Sequence, residues 1–269
     1  TTHAYFRWAL FGMQCKKSRT IFTEVVEVLE TQPGIRDIEL KEGIPVTISH
    51  LDSWEKVNDC SLPEDLKQFY LAHDGATLNW SYTCNDVILR LGLIHVNQLA
   101  KLRPFSVEPR ASGEPSAVDL DVKDTEGFSP SFGGHNCRVL PLNYCSTCGH
   151  VCLVYRIPEG GASPFEHCNI WLLDLSLSWH LLCRTFSDYL RLAAVHLGLR
   201  QWPYALTSVG LSPLYQKWFH LFVPKRYELD CSKSNPTLQP EEINNMLDVT
   251  KLLEIQSKGT LPNHHRSAK

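Results

Sequence analysis

Cys145-Ser-Thr-Cys148, with His150 and Cys152 close behind, is the sharpest chemical feature of the sequence. A Cys-x-x-Cys pair can hold a zinc ion through two thiolates, which makes Cys145, Cys148 and His150 the candidate ligands. A tetrahedral site needs four donors, and no second matched pair stands at standard spacing; Cys137 or Cys168 would complete the set only by an accident of folding. On a strand, Cys148, His150 and Cys152 would share one face. Cys152, however, lies in the apolar run Val-Cys-Leu-Val-Tyr, where a reduced cysteine packs as a small hydrophobe. Thioredoxin-type dithiol chemistry wants a helix after the second cysteine, and a strand-like run follows Cys148 instead. The expectation is no metal and no cofactor.

Other chemistries find no anchor. There is no Gly-x-Ser-x-Gly elbow, no His-Glu-x-x-His and no Walker-type phosphate loop, and the 12 histidines are scattered enough that chance His and Cys neighbours are expected. Nucleotide-dependent ligation would need a phosphate cradle and several acids for magnesium, neither of which can be placed. Asp119-x-Asp121 suggests a calcium loop, but Lys123 stands where the third oxygen ligand belongs. His73 and His180, among apolar neighbours, read as satisfied core or boundary residues, and Trp171 and Trp202 read as core. The inventory points to a protein with no catalytic residues.

The elements that must carry these side chains are organised around Cys60 to Trp80. Ser61 offers a cap, Pro63 suits a first helical turn, and Glu64 and Asp65 favour the positive end of the helix dipole. Leu62, Leu66, Phe69 and Tyr70 form one apolar stripe, and Asp74-Gly75 can stop the helix before a strand over Thr77 to Tyr82. Earlier, Ser18 to Thr31 reads as an amphipathic helix, Ile35 to Ser49 as extended chain and Leu51 to Asn58 as a short helix with Trp54 as a core anchor. Later come a strand over Val87 to Leu93 after an Asn85-Asp86 turn and a short helix over Val96 to Leu102. Strands over Arg138 to Leu142, His150 to Tyr155 and Asn169 to Asp174 follow, the last two covered on both faces. A long helix from Phe186 ends at Gly198, and another spans Leu214 to Phe222. The segment 108–134 reads as a mobile acidic surface loop. The plan is an N-terminal extension over 1–17, a folded domain over 18–224, and a polar tail over 225–269 with an amphipathic helix near 240–257.

With 269 residues, 43% of them hydrophobic, the chain can bury a substantial core. A net charge of -3 offers no global basic field for nucleic acid or anionic membrane, and no apolar run is long enough to span a bilayer. The stretch Ala4 to Met13 is short and interrupted by Arg7, and no signal peptide is read there. The 10 cysteines are scattered, several inside apolar elements, which suits a reducing cytoplasm better than a disulfide framework.

Ser-Trp-Glu-Lys-Val-Asn-Asp-Cys-Ser-Leu-Pro-Glu-Asp-Leu-Lys-Gln-Phe-Tyr over Ser53 to Tyr70, the Asp74-Gly75 turn, Val151 to Tyr155 and Ile170 to Asp174 together resemble the Smi/Knr (SUKH) superfamily. The run from Trp179 to Pro213 is similar, more narrowly, to the branch that serves tubulin polyglutamylase complexes. The resemblance implies an α+β fold, a mixed sheet flanked by helices with a C-terminal tail helix, used as a non-catalytic scaffold or targeting subunit. It implies as partners sister subunits, including a tubulin tyrosine ligase-like chain, and tubulin or microtubules, in the cytoplasm and cytoskeleton and at centriole or cilium axoneme. Cys145 and Cys148 are not part of the family pattern. The alternatives are a structural microtubule or axonemal protein independent of the ligase, an immunity-type binder of a toxin, and a zinc or thiol enzyme.

Overall fold

A computed structural model describes residues 21–105, 137–156 and 168–232. The extension over 1–17, the acidic loop over 108–134 and the tail helix near 240–257 lie outside the described residues. Helix α1 (21–31) buries Phe22, Val25, Val28 and Leu29, and strand β1 (Ile35–Glu42) follows. Helix α2 runs Ile48–Asn58, three residues earlier than expected, because Thr47 caps it by accepting from His50 N–H at 3.3 Å. Trp54 is only partly buried against the core.

Helix α3 (Glu64–Ala72) carries Leu66, Phe69 and Tyr70 of the predicted stripe and Leu62 precedes it; all four are buried. The expected Ser61 cap does not form, and Pro63 lies just outside the helix at the cap position. Ser61 Oγ donates instead to Glu55 Oε1 at 3.2 Å, which also accepts from Leu62 N–H at 2.6 Å and pairs with Lys67 at 2.8 Å. A carboxylate from the previous helix, invisible to a local reading, thus organises the entry to α3.

Strands β2 (Ala76–Cys84) and β3 (Val87–Val96) form a hairpin closed by Asn85 and Asp86, both left-handed at φ 47° and 63°, the geometry a two-residue turn demands. Beyond β3 the chain makes one 3₁₀ turn, Leu99–Lys101, where a helix over Val96 to Leu102 was expected. Leu99 N–H is taken by Asp74 Oδ1 at 2.7 Å, which pins the segment to the α3–β2 junction.

Strands β4 (Cys137–Cys145), β5 (Gly149–Arg156), β6 (Cys168–Leu173) and β7 (Trp179–Cys183) pair in sequence order. Strand β7 has no counterpart among the elements expected from periodicity. The α+β class holds, with helices flanking the sheets, but the expected mixed sheet is two sheets, β1-β2-β3 and β4-β5-β6-β7, antiparallel in every described pairing. Consecutive strands joined through neighbouring hairpins pair antiparallel, whereas parallel pairs need a long crossover. Asn97 N–H donates to Leu142 C=O at 2.8 Å and Asn143 Nδ2 to His95 C=O at 3.0 Å, so the sheets are stitched where β3 ends.

Helix α4 (Phe186–Val195) is capped by Thr185, whose Oγ1 accepts from Asp188 N–H at 3.1 Å, and it ends in left-handed Leu197 and Gly198. This terminus lands on the first sheet: Leu93 N–H donates to Gly198 C=O at 2.7 Å and Arg200 N–H to Leu91 C=O at 2.9 Å. Helices α5 (Pro213–Phe222) and α6 (Pro224–Ser232) follow. Packing continues past residue 224, where a polar tail was expected to begin, and α6 buries Arg226 and Asp230.

Candidate functional site

The Cys-x-x-Cys pair is built by the β4–β5 turn. Cys148 N–H donates to Cys145 C=O at 3.1 Å, closing a β-turn that brings the two residues together. Gly149 then takes φ 108°, and a Cβ there would lie 2.1 Å from the Leu173 carbonyl oxygen. Cys145 Sγ lies 3.1 Å from Thr147 Oγ1 and shares a hydrogen bond with the Cys148 thiol. That bond, outweighing burial and helped by Thr147 and the charge of Arg200, brings the Cys145 thiol down to about 5. The same bond together with burial pushes the Cys148 thiol upward.

His150 does not join them. Its ring packs on Tyr144 at 4.7 Å and Phe105 at 5.5 Å, while Cys148 belongs to the main core and Cys152 to a smaller cluster with Val139, Val154, Trp171, Leu173 and Trp179. Cys148 sits in the turn before the strand starts, so the strand alternation that was to align Cys148, His150 and Cys152 does not extend to it. Among the described residues, no group of three or more His, Cys, Asp or Glu side chains is placed to hold a metal ion.

At the β6–β7 turn Asp174 gathers four donors. Its Oδ1 accepts from Ser176 N–H at 2.8 Å, Ser176 Oγ at 2.8 Å and Ser178 N–H at 2.9 Å, and its Oδ2 lies 3.0 Å from His180 Nε2. The residue types are those of a Ser-His-Asp relay, but Ser176 Oγ donates to the aspartate and not to the histidine, so no nucleophile is activated. The box is a turn clamp, and His180 is a satisfied boundary residue, within the expectation of a satisfied core or boundary histidine. Burial opposes the Asp174 charge, yet Ser178, Ser176 and His180 outweigh it and hold the carboxyl below its ordinary value of 3.8. Its stabilisation is therefore complete above the unfolded carboxyl's range and is lost as pH falls through the lower folded value. Asp174→Asn is expected to flatten the acid limb of a plot of urea midpoint against pH below about pH 5; a limb of unchanged steepness would refute the clamp.

A second buried polar constellation was not legible in the sequence. His196, fully buried, directs Nδ1 to Leu192 C=O at 2.7 Å and Nε2 to Asp230 Oδ2 at 2.9 Å. Arg226, one turn earlier on α6, meets Asp230 Oδ1 at 2.6 Å. Burial of Asp230 is outweighed by His196 and then Arg226, and its carboxyl too is held below the ordinary value. Only the i, i+4 spacing of Arg226 and Asp230 was a signal available beforehand.

Helix α5 presents an outward apolar stripe. Leu214 is 59% exposed and Leu221 41% exposed, with half-buried Trp218 between them at i, i+4 and i+7. Trp218 meets the Tyr82 ring edge-on at 5.7 Å, which anchors the stripe to β2.

The sequence profile described as the SMI1/KNR4 family (SUKH-1) matches residues 45–192, from the segment before α2 into α4. The chain belongs to the SMI1/KNR4 (SUKH-1) family. It is 35% identical over 248 residues to tubulin polyglutamylase complex subunit 2 of Rattus norvegicus, covering 88% of this chain and 81% of that protein. It is 33% identical to the subunit of the same name in Homo sapiens, covering 93% of this chain and 84% of that protein. No solved structure matches the chain. The SUKH-1 match takes in both sheets from β2 onward and stops within α4, so α5, α6 and the outward stripe lie beyond the matched residues while Phe219 and Phe222 pack into the same core.

Proposed function

We propose that the chain is a non-catalytic scaffold or targeting subunit of a tubulin polyglutamylase complex, working in the cytoplasm and cytoskeleton, with microtubules and the centriole or cilium axoneme as its sites. The observation that carries this reading is the likeness, along most of both lengths, to proteins named as subunit 2 of that complex. The partners are sister subunits, among them a tubulin tyrosine ligase-like chain, and tubulin in microtubules. Support comes also from the arrangement of polar groups: Asp174 and His196 are each engaged by residues of their own fold, Asp174 by its turn and His196 by Leu192 and Asp230.

Sister-subunit contact is assigned to α5 and α6, which follow the residues matched by the SUKH-1 profile. Trp218 is of the residue type that anchors contact centres, and Leu214 and Leu221 extend the apolar surface on either side of it along one helix face. Purification of the tagged full chain from cells should recover a ligase-like chain at stoichiometric yield. Leu214→Glu with Leu221→Glu should cut that recovery about tenfold or more, since burying charge against an apolar partner surface costs on the order of 2 kcal/mol, while the far-ultraviolet circular dichroism spectrum stays that of the parent. Recovery of the protein alone would refute the subunit role. Co-sedimentation with ligase-free microtubules, insensitive to moderate salt, would instead mark a structural microtubule protein.

A further inference from the structure

Two cysteines three residues apart in a closed β-turn satisfy the first requirement of a disulfide. The turn places their Cα atoms within about 7 Å, and bridged pairs span about 4.4–6.8 Å. Their thiols already share a hydrogen bond, and the Gln201 N–H also donates to Cys148 Sγ. Cys145 is half-buried and reachable from solvent, whereas Cys148 is 1% exposed. This division of labour matches an entering and a resolving thiol. We propose that Cys145 and Cys148 are a reversible dithiol–disulfide site that exchanges with small-molecule disulfides of the glutathione class.

The step balances with the oxidant as electron acceptor. The Cys145 thiolate attacks one sulfur of oxidised glutathione, forming a mixed disulfide and releasing one glutathione thiolate. The Cys148 thiol passes its proton to that thiolate, and the resulting Cys148 thiolate attacks Cys145 Sγ and expels the second glutathione as a thiolate. Two electrons leave the protein sulfurs, one S–S bond forms in the turn, and one is broken in the oxidant. Thiolate attack of this kind depends on the ionised fraction of the entering sulfur and on access to it. Cys145 has both: its neighbours favour the thiolate, while burial pushes Cys60 up to about 11 and Cys168 up to about 12 and raises Cys152 and Cys183 as well.

The test exposes the full chain to glutathione buffers of stepped oxidised-to-reduced ratio, quenches with a maleimide, and maps the peptide holding both residues by mass. The wild-type peptide should lose two hydrogens and both maleimide adducts as the ratio rises, and regain them when reduced glutathione is returned. Cys148→Ser should stop at one glutathione on Cys145, and Cys145→Ser should leave Cys148 as a free thiol. The alkylation rate of Cys145 by iodoacetamide should stay nearly level from about pH 6 to 8, where an ordinary thiol of pKa about 8.5 gains about tenfold per pH unit. The assignment fails if wild-type protein keeps glutathione on Cys145 without forming the internal bridge, if the pair stays alkylatable at every ratio, or if other cysteines oxidise first.

Discussion

Trp80→Ala should lower the free energy of unfolding by about 3–5 kcal/mol, the range for emptying a buried large aromatic site. The ring is 1% exposed at the centre of β2, packs edge-on against Phe222 at 5.2 Å, and donates Nε1–H to Leu197 C=O at 2.7 Å. Truncation opens a cavity between the first sheet and α5 and also leaves that carbonyl, at the α4 terminus, without its donor. Orphaning a buried polar group adds about 1–3 kcal/mol. A single domain is stable by about 5–15 kcal/mol, so the variant should be unfolded or close to it at moderate urea. Trp80→Phe, which keeps an aromatic ring but lacks the N–H, should fall between. The opposite wall of the same packing gives an independent check: a Cβ on Gly92 would lie 1.7 Å from Trp80 Nε1, and Gly92→Ala should therefore destabilise by forcing the indole from its pocket. Urea denaturation of the three variants reads all of this. A loss below about 1 kcal/mol for Trp80→Ala would mean that the site collapses around the gap and that the indole is not the joint between the sheet and the helices.

Asp230→Ala should cost about 3–5 kcal/mol, for a different reason. The aspartate lies between His196 and Arg226, all three buried, and removing it leaves a guanidinium and an imidazole facing one another in a low dielectric without their carboxylate. The net worth of the intact constellation is much smaller, because burying three charged or polar groups carries its own desolvation cost. Replacing all three at once, His196→Phe with Arg226→Met and Asp230→Leu, is accordingly expected to come out near neutral. The pair of measurements separates the two quantities: a harmless Asp230→Ala would show that α6 is not held by this contact, and an equally damaging triple variant would show that the charges specify the docking. The consequence reaches the proposed function. Helix α6 contacts the 3₁₀ turn Trp202–Leu206 and packs beside α5, so loosening it should disturb the Leu214–Trp218–Leu221 stripe and reduce partner recovery without touching the SUKH-1 unit.

The local grammar of this chain was legible without coordinates. The α3 stripe, the Asn85-Asp86 hairpin, the left-handed Gly75 and Gly198 and the doubly covered strands β5 and β6 depend on residues a few positions apart, and periodicity and turn chemistry report them directly. Elements that depend on distant groups, or are too short to show a period, were not legible in this way. Glu55 supplanted Ser61 at the start of α3 because a carboxylate from α2 reaches further than a local cap, and Trp179–Cys183 escaped notice because five residues carry too little alternation to declare a strand.

What the amino-acid order determined by itself is the α+β repertoire of elements, the closeness of Cys145 to Cys148 and the kinship with SUKH-1 proteins. Tertiary structure alone decided that His150 would be separated from those cysteines, that Asp174 would spend its charge on its own turn, and that Trp80 would meet the carbonyl of Leu197, 117 residues away. The physical reason is that side-chain phase and burial along one element follow from its backbone period. Which distant group arrives to satisfy a buried donor or charge is settled only when the elements pack.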